Sequence, residues 1–200
     1  ALTDDQELIR SAVAKVCSDY PDEYWAEKDQ SHEFPWDFYH AMANAGWIGI
    51  AIPEAYGGSG MGITEASLVL EEVAASGAAM NGATPLHLSM FGMEPVVKYG
   101  SEEMKQAYLP AVAAGELHVA FGVTEPTSGT DTTALRTVAR RDGDEYVVNG
   151  QKVWTSRAEH SDLLLLLART TPLEECAKKT DGLSVFLVDM REVRGKSLTI

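Results

Sequence analysis

A chain of 200 residues that is 45% hydrophobic and 23% charged can build one sizeable core or two small ones, which excludes disordered and fibrous classes. The net charge of −14 is unevenly spread: residues 1–117 carry 18 acids against 5 bases, residues 118–200 carry 12 against 11. So acidic a surface repels nucleic acid and anionic lipid, and any grip on coenzyme phosphates should come from the second half or from another chain.

Residues 3–6, Thr-Asp-Asp-Gln, fit a capping box that opens a helix, with Leu8, Ile9, Ala12, Val13 and Val16 as its apolar stripe. Pro35 opens a second helix and Gly46 ends it. A third runs over residues 63–76 with Ala66, Leu70 and Val73 on one side and Gly77 as terminator. A fourth spans 84–99, closed by Gly100. Ser101 caps a fifth, with Glu102 and Glu103 in the first turn, where the helix dipole favours acids. Near His118 the period changes to two. Strands are expected at 118–123, 135–140, 145–148, 151–155, 163–169 and 183–189. Asp142-Gly143-Asp144 reads as a turn, and Asn149-Gly150 as the strongest hairpin signal. The expected fold is therefore α+β, with an α-helical bundle over 1–117 and an antiparallel barrel or sandwich over 118–200. Residues 197–200 read as a new strand beginning, so the β domain is expected to be incomplete at that end.

No apolar run approaches a membrane span, and the longest, residues 163–168, is strand-sized. The first residues lack the pattern of a secretory signal. A cytoplasmic location is expected, or the mitochondrial matrix if a leader was removed. Cys17 and Cys176 lie far apart, with no C-x-x-C spacing and no neighbouring His cluster. They read as free thiols, and no metal site is expected.

The glycine-rich run over 57–62 matches neither G-x-G-x-x-G nor a Gly-Lys-Ser/Thr phosphate loop, and reads as a connection between helices. Residues 121–131, F-G-V-T-E-P-T-S-G-T-D, leave a strand for a loop of small and hydroxyl residues. Its free N–H and O–H groups could serve a flavin ring or a diphosphate, and Gly129 would let the backbone approach closely. A turn capped locally by Thr130 and Asp131 accounts for the same composition equally well.

Residues 122–134, G-V-T-E-P-T-S-G-T-D-T-T-A, resemble the signature of the acyl-CoA dehydrogenase family. Three further stretches resemble it in the right order: I-P-E-A-Y-G-G at 52–58, D-E-Y-V-V-N-G-Q-K at 144–152, and Trp154-Thr155-Ser156. The resemblance covers essentially the whole chain. It implies a helical N-terminal domain, a β-barrel middle domain and a C-terminal helical bundle, the last absent from this chain, usually in homotetramers. It implies FAD as cofactor, an acyl-CoA substrate dehydrogenated at the CH–CH bond to a trans-2-enoyl thioester, and an electron-transfer flavoprotein as acceptor in fatty-acid β-oxidation.

The same resemblance carries cofactor contacts to Phe121, Val123, Thr124, Gly129, Thr130, Trp154, Thr155 and Ser156, with Thr130 also near the coenzyme A chain. Taken alone, Trp154 reads as a core aromatic. No catalytic base is assigned. The family's glutamate is expected beyond Ile200, Glu125 reads as structural, and Glu71 and Glu72 read as solvated mid-helix acids. Arg157 departs from the family pattern and reads as a solvated side chain or as a charge near the flavin edge. The apolar stretch 80–93, with Leu86, His87, Leu88 and Met90, is a candidate lining for an acyl cavity, and core packing explains it equally well. An acyl-CoA oxidase, a related flavin monooxygenase and a non-catalytic flavin-binding partner subunit remain as alternatives.

Overall fold

Helix α1, Asp4–Cys17, starts where its cap was legible. The Thr3 hydroxyl accepts from the Gln6 amide at 3.3 Å, and the Gln6 side chain accepts from the Thr3 amide at 3.1 Å. This reciprocal pair satisfies amides that a helix start leaves without partners. The computed structural model describes residues 1–200, which divide into two compact units, Ala1–His118 and Val119–Ile200.

In the first unit, Ile9, Val13 and Cys17 of α1 are buried, whereas Leu8 is 67% exposed; the buried face is centred one residue later than the expected stripe. Helix α2, Asp22–Ser31, was not anticipated, and it buries Trp25 alone, so it carries no apolar period to detect. Trp25 is held by its indole N–H on the Tyr20 carbonyl at 3.0 Å and by an edge-on contact with Phe38 at 4.9 Å. Helix α3, Trp36–Asn44, follows Pro35, and Gly46 behind it takes φ of +81°. Helix α4, Ile63–Val73, runs into a π turn, Ala74–Ala78, where Gly77 at φ +98° supplies the left-handed backbone that stops it.

The single helix expected over 84–99 is two, α5 (Ala79–Gly92) and α6 (Glu94–Tyr99). Pro95 has no N–H to donate and is accommodated in the first turn of a new helix, which sets the break at Met93. Helix α7, Glu102–Ala113, is capped by Ser101, whose hydroxyl accepts from the Met104 amide at 3.2 Å.

The core of this unit includes Phe38, Tyr39, Met42, Ile48 and Leu86, all fully buried. Burial of such a side chain is worth roughly 1.5–3 kcal/mol each. Cys17 belongs to this core and is a free thiol. Polar side chains tie α1 to α4: Gln6 Nε2 donates to Glu65 Oε1 at 2.8 Å, and Arg10 pairs with Glu72. Glu72 is thus not solvated, its side chain being 15% exposed. Leu86 and Met90 are core residues, His87 and Leu88 are half-buried, and Met80 is exposed.

The second unit holds β1 (Val119–Gly122), β2 (Val138–Asp142), β3 (Glu145–Asn149), β4 (Leu163–Arg169), β5 (Leu183–Asp189) and a one-turn helix, Met190–Val193. The sheet order is β1-β4-β2-β3, with β5 on β4. A sheet domain follows the helical one, as expected, but its pairing is mixed rather than antiparallel throughout. The pairs β2–β3 and β4–β5 are antiparallel, while β1–β4 and the single β2–β4 contact, Val138 with Arg169, are parallel. Parallel pairing is open to β1 and β4 because residues 123–162 between them are long enough for a crossover. Strand β4, the most central, is a nearly continuous apolar run buried along most of its length.

The β2–β3 hairpin turns at Gly143, φ +62°. Asn149-Gly150 is not a hairpin turn but the end of β3. A Cβ on Gly150 would lie 2.6 Å from the Thr137 Cβ, so glycine serves close backbone approach there. Residues 151–155 form no strand, and 197–200 contribute one isolated bridge, Leu198 with Arg194.

Candidate functional site

The glycine-rich run of the first unit spends its amides on its own chain. Ser59 N–H donates to Gly49 O at 3.1 Å, Gly60 to Ile52 O at 2.8 Å and Met61 to Ile50 O at 2.9 Å. Amides so engaged do not cradle an anion.

The loop after β1 is built differently. Strand β1 buries Val119 and Ala120 and leaves Phe121 42% exposed. Beyond Gly122 the chain leaves the ladder, and Glu125 and Ser128 bond to each other through their backbones at 2.8 and 3.2 Å, turning Pro126-Thr127 outward. The Ser128 hydroxyl donates to Asp131 O at 2.8 Å, and the Asp131 carboxylate accepts from the Thr133 amide at 3.1 Å and from the Thr133 hydroxyl. Local capping therefore accounts for Asp131. Gly129 and Thr130 stand exposed between these anchors, and a Cβ at Gly129 would meet nothing within 4 Å.

Beneath the loop lies a buried polar knot. The Glu125 carboxylate accepts from the Arg136 amide at 2.6 Å, the Thr137 amide at 2.9 Å, the Thr137 hydroxyl at 2.5 Å and Lys152 Nζ at 2.9 Å. Lys152 Nζ also donates to the Val123 carbonyl at 3.1 Å. Burial works against the Glu125 charge, but bonds from the Thr137 hydroxyl, the Lys152 ammonium and the Arg136 and Thr137 amides outweigh it and hold the pKa down to about 2. A carboxylate held in its charged form, with its oxygens occupied by four donors, is a poor proton acceptor at neutral pH.

Immediately after Lys152, the Val153 amide donates to the Thr124 carbonyl at 2.9 Å. This bond brings the signature loop and the Trp154 triplet together. Trp154 is 89% exposed at φ +58°, and Arg157 takes φ +64°. Two left-handed non-glycine residues within four positions are uncommon, and such backbone persists only when its surroundings over-determine it. Downstream, the exposed Arg194 guanidinium grips three carbonyls, Ala158 and Ser161 at 2.8 Å and Glu159 at 3.0 Å. Thr155 is half-buried and Ser156 exposed; Arg157, read from the sequence as a solvated side chain or as a charge near the flavin edge, is half-buried.

The structure thus links Val123 and Thr124 to the Trp154 segment, with Phe121 at the edge of β1 and Gly129 and Thr130 further along the same loop. Sequence reasoning gave no role to Lys152 or Thr137. The available signal was the pairing of an isolated basic residue before Val153-Trp154 with an isolated acid in a loop of small residues.

Two family descriptions match the chain: Acyl-CoA dehydrogenase, N-terminal domain, over residues 3–116, and Acyl-CoA dehydrogenase, middle domain, over residues 120–199. Acyl-CoA dehydrogenase FadE26 of Mycobacterium tuberculosis is 42% identical over 148 residues, which is 74% of this chain and 36% of the relative. The structure of a glutaryl-coenzyme A dehydrogenase in complex with glutaryl-CoA superposes with a TM-score of 0.87 at 30% identity, covering 96% of this chain and 48% of that one. A glutaryl-CoA dehydrogenase from Mycobacterium smegmatis in complex with FADH2 superposes with a TM-score of 0.81 at 27% identity, covering 94% and 46%. The chain spans less than half the length of each of these proteins.

Proposed function

Because the chain belongs to the acyl-CoA dehydrogenase family, we propose that the whole protein converts an acyl-CoA thioester to its trans-2-enoyl product, with FAD as resident cofactor and an electron-transfer flavoprotein as acceptor. The observation that carries this reading is the Val153–Thr124 bond, which sets an 89% exposed Trp154 beside the signature loop. A large exposed indole on constrained backbone is a surface made to be covered, and a flat ring system suits it.

The residues present fit that ring. Thr130 and Ser156 offer exposed hydroxyls, Gly129 leaves open space for close approach, and Val123 and Thr124 are fixed by the knot beneath them. Phe121, Val123, Thr124, Gly129, Thr130, Trp154, Thr155 and Ser156 would hold FAD, with Thr130 also toward the coenzyme A chain. What FAD supplies when bound is an acceptor for the β-hydrogen of the acyl chain. The α-proton of a thioester is weakly acidic, so its removal needs a carboxylate of raised pKa and donors aimed at the developing enolate oxygen. Glu125 lacks that property, and we assign the base to a carboxylate outside residues 1–200. As in the family, a homo-oligomer is proposed, and no helix is long and apolar enough to cross a membrane.

The test is spectroscopic. The whole protein, purified, should show flavin absorption bands that bleach when acyl-CoA is added without oxygen and stay bleached until an electron-transfer flavoprotein is supplied. Rapid reoxidation in air with stoichiometric peroxide would move the assignment to an oxidase. A preparation that holds no flavin, even after incubation with FAD, would sink the reading.

A further inference from the structure

We propose that Lys152 and Glu125 are positioning residues for the flavin-contacting segment over 154–156, acting through the Thr124–Val153 backbone pair. The inference rests on the flavin site argued above and assigns it a mechanical support. The side chains of this pair are 9% and 3% exposed, far below the other ion pairs in the molecule. Taking both charges out of water is costly, and a well-packed apolar pair of similar volume would commonly serve stability as well or better. The retained charges therefore point to a geometric task.

That task is legible in the partners. The Glu125 carboxylate gathers the two residues that lead into β2, through the Arg136 and Thr137 amides, and the segment after β3, through Lys152. Lys152 returns a second bond to the Val123 carbonyl, so one ammonium holds the start of the loop at two points while the Glu125 carboxylate reaches its far end. Residues 123–124 and 151–155 belong to no strand, and between them runs the Val153–Thr124 backbone bond. One such bond fixes a distance but leaves rotation about it free; the ion pair on one side supplies the missing orientation. Trp154 follows two residues later at φ +58°, and the Arg194 grip on residues 158–161 closes the far side. The left-handed Trp154 backbone is thus over-determined from both ends, with Lys152 the nearer anchor.

The experiment compares wild type, Lys152→Met, Lys152→Arg and Thr137→Val in the whole protein, with three readouts: FAD affinity, the visible circular dichroism of bound flavin, and the rate of tryptic cleavage after Arg157 in the flavin-free protein. Lys152→Met should weaken FAD at least about tenfold, change the flavin dichroism and speed cleavage at least about fivefold, because local opening becomes easier. Lys152→Arg should recover most of the affinity, as it keeps the charge and its donors. Thr137→Val removes one donor from Glu125 at a buried position and should show the same changes at two- to fivefold. Should Lys152→Met fail to accumulate, Thr137→Val decides the matter.

A lowered melting temperature with wild-type affinity, dichroism and cleavage rate would reduce the pair to a stability element and overturn the assignment. If instead wild type itself binds no FAD, the flavin reading fails as a whole. The cleavage data then still report whether Lys152 orders the segment.

Discussion

The two units bury different kinds of side chain. In Ala1–His118 the buried polar residues are Ser89 and His118, set among a large apolar core. In the shorter Val119–Ile200 they are Glu125, Ser128, Thr137, Ser161 and Arg169, with Lys152 close to the same depth. Arg169 is buried without a carboxylate and donates to the carbonyls of Thr133 at 2.9 Å and of Lys179 and Asp181 at 3.1 Å. The helical unit orders its chain through regular backbone bonds and apolar contact, and no acid, lysine or arginine there is buried as deeply as Glu125 or Arg169. The sheet unit must order long irregular segments whose amides and carbonyls meet no ladder, and buried charges with several bonds each do that work. Charge is buried where the backbone is irregular, and the candidate site lies there.

The largest effect is expected in the apolar core. Phe38→Ala removes a fully buried ring in edge contact with Tyr20 and Trp25 and should destabilise the helical unit by about 3–5 kcal/mol. Urea denaturation followed by far-UV circular dichroism measures it, and a loss below about 1 kcal/mol would mean this core is not what holds the helices. Next comes the polar knot. Glu125 has its folded pKa pulled from an ordinary 4.5 to about 2, so its stabilising contribution is complete above about pH 4.5 and fades as pH falls toward 2. That span corresponds to about 3 kcal/mol. Glu125→Gln should lower stability at neutral pH and flatten the acid limb of a melting-temperature profile between pH 2 and 6. An unchanged acid limb would remove Glu125 as its source.

The same contrast explains which features are legible in the sequence. Thr3, Gln6, Ser101 and Gly77 mark helix boundaries by local chemistry, and each does so in the structure. Helix α2 escaped because its single buried residue, Trp25, leaves no period, and the α5–α6 break escaped because apolar residues continue through Met93. In the sheet unit the strands were visible, but two facts fixed by distant partners were not. The β1–β4 pairing runs parallel because of where a 40-residue connection returns, and Asn149-Gly150 is spent on contact with Thr137 rather than on a turn. Of the candidate site, the loop and the Trp154 triplet were legible as motifs. The knot joining them was not, since Glu125, Thr137 and Lys152 are separated by 12 and 15 residues and share no period.

The smallest effect is expected at the cap of α1. Thr3→Ala deletes one side of the capping box and leaves the Gln6 amide to water, while every tertiary contact of α1 remains. A cap of this kind is worth about 1 kcal/mol, with peptide-like exposed caps toward the lower end of a range of roughly 0.5–2 kcal/mol. Amide exchange should quicken over residues 4–7 and stay unchanged at Val13 and Cys17, which are buried against the core further along the same helix. If protection were lost along the whole of α1, the helix would depend on its cap rather than on its buried face. The division between local signals that place an element and packing that holds it would then fail in the unit where it is clearest.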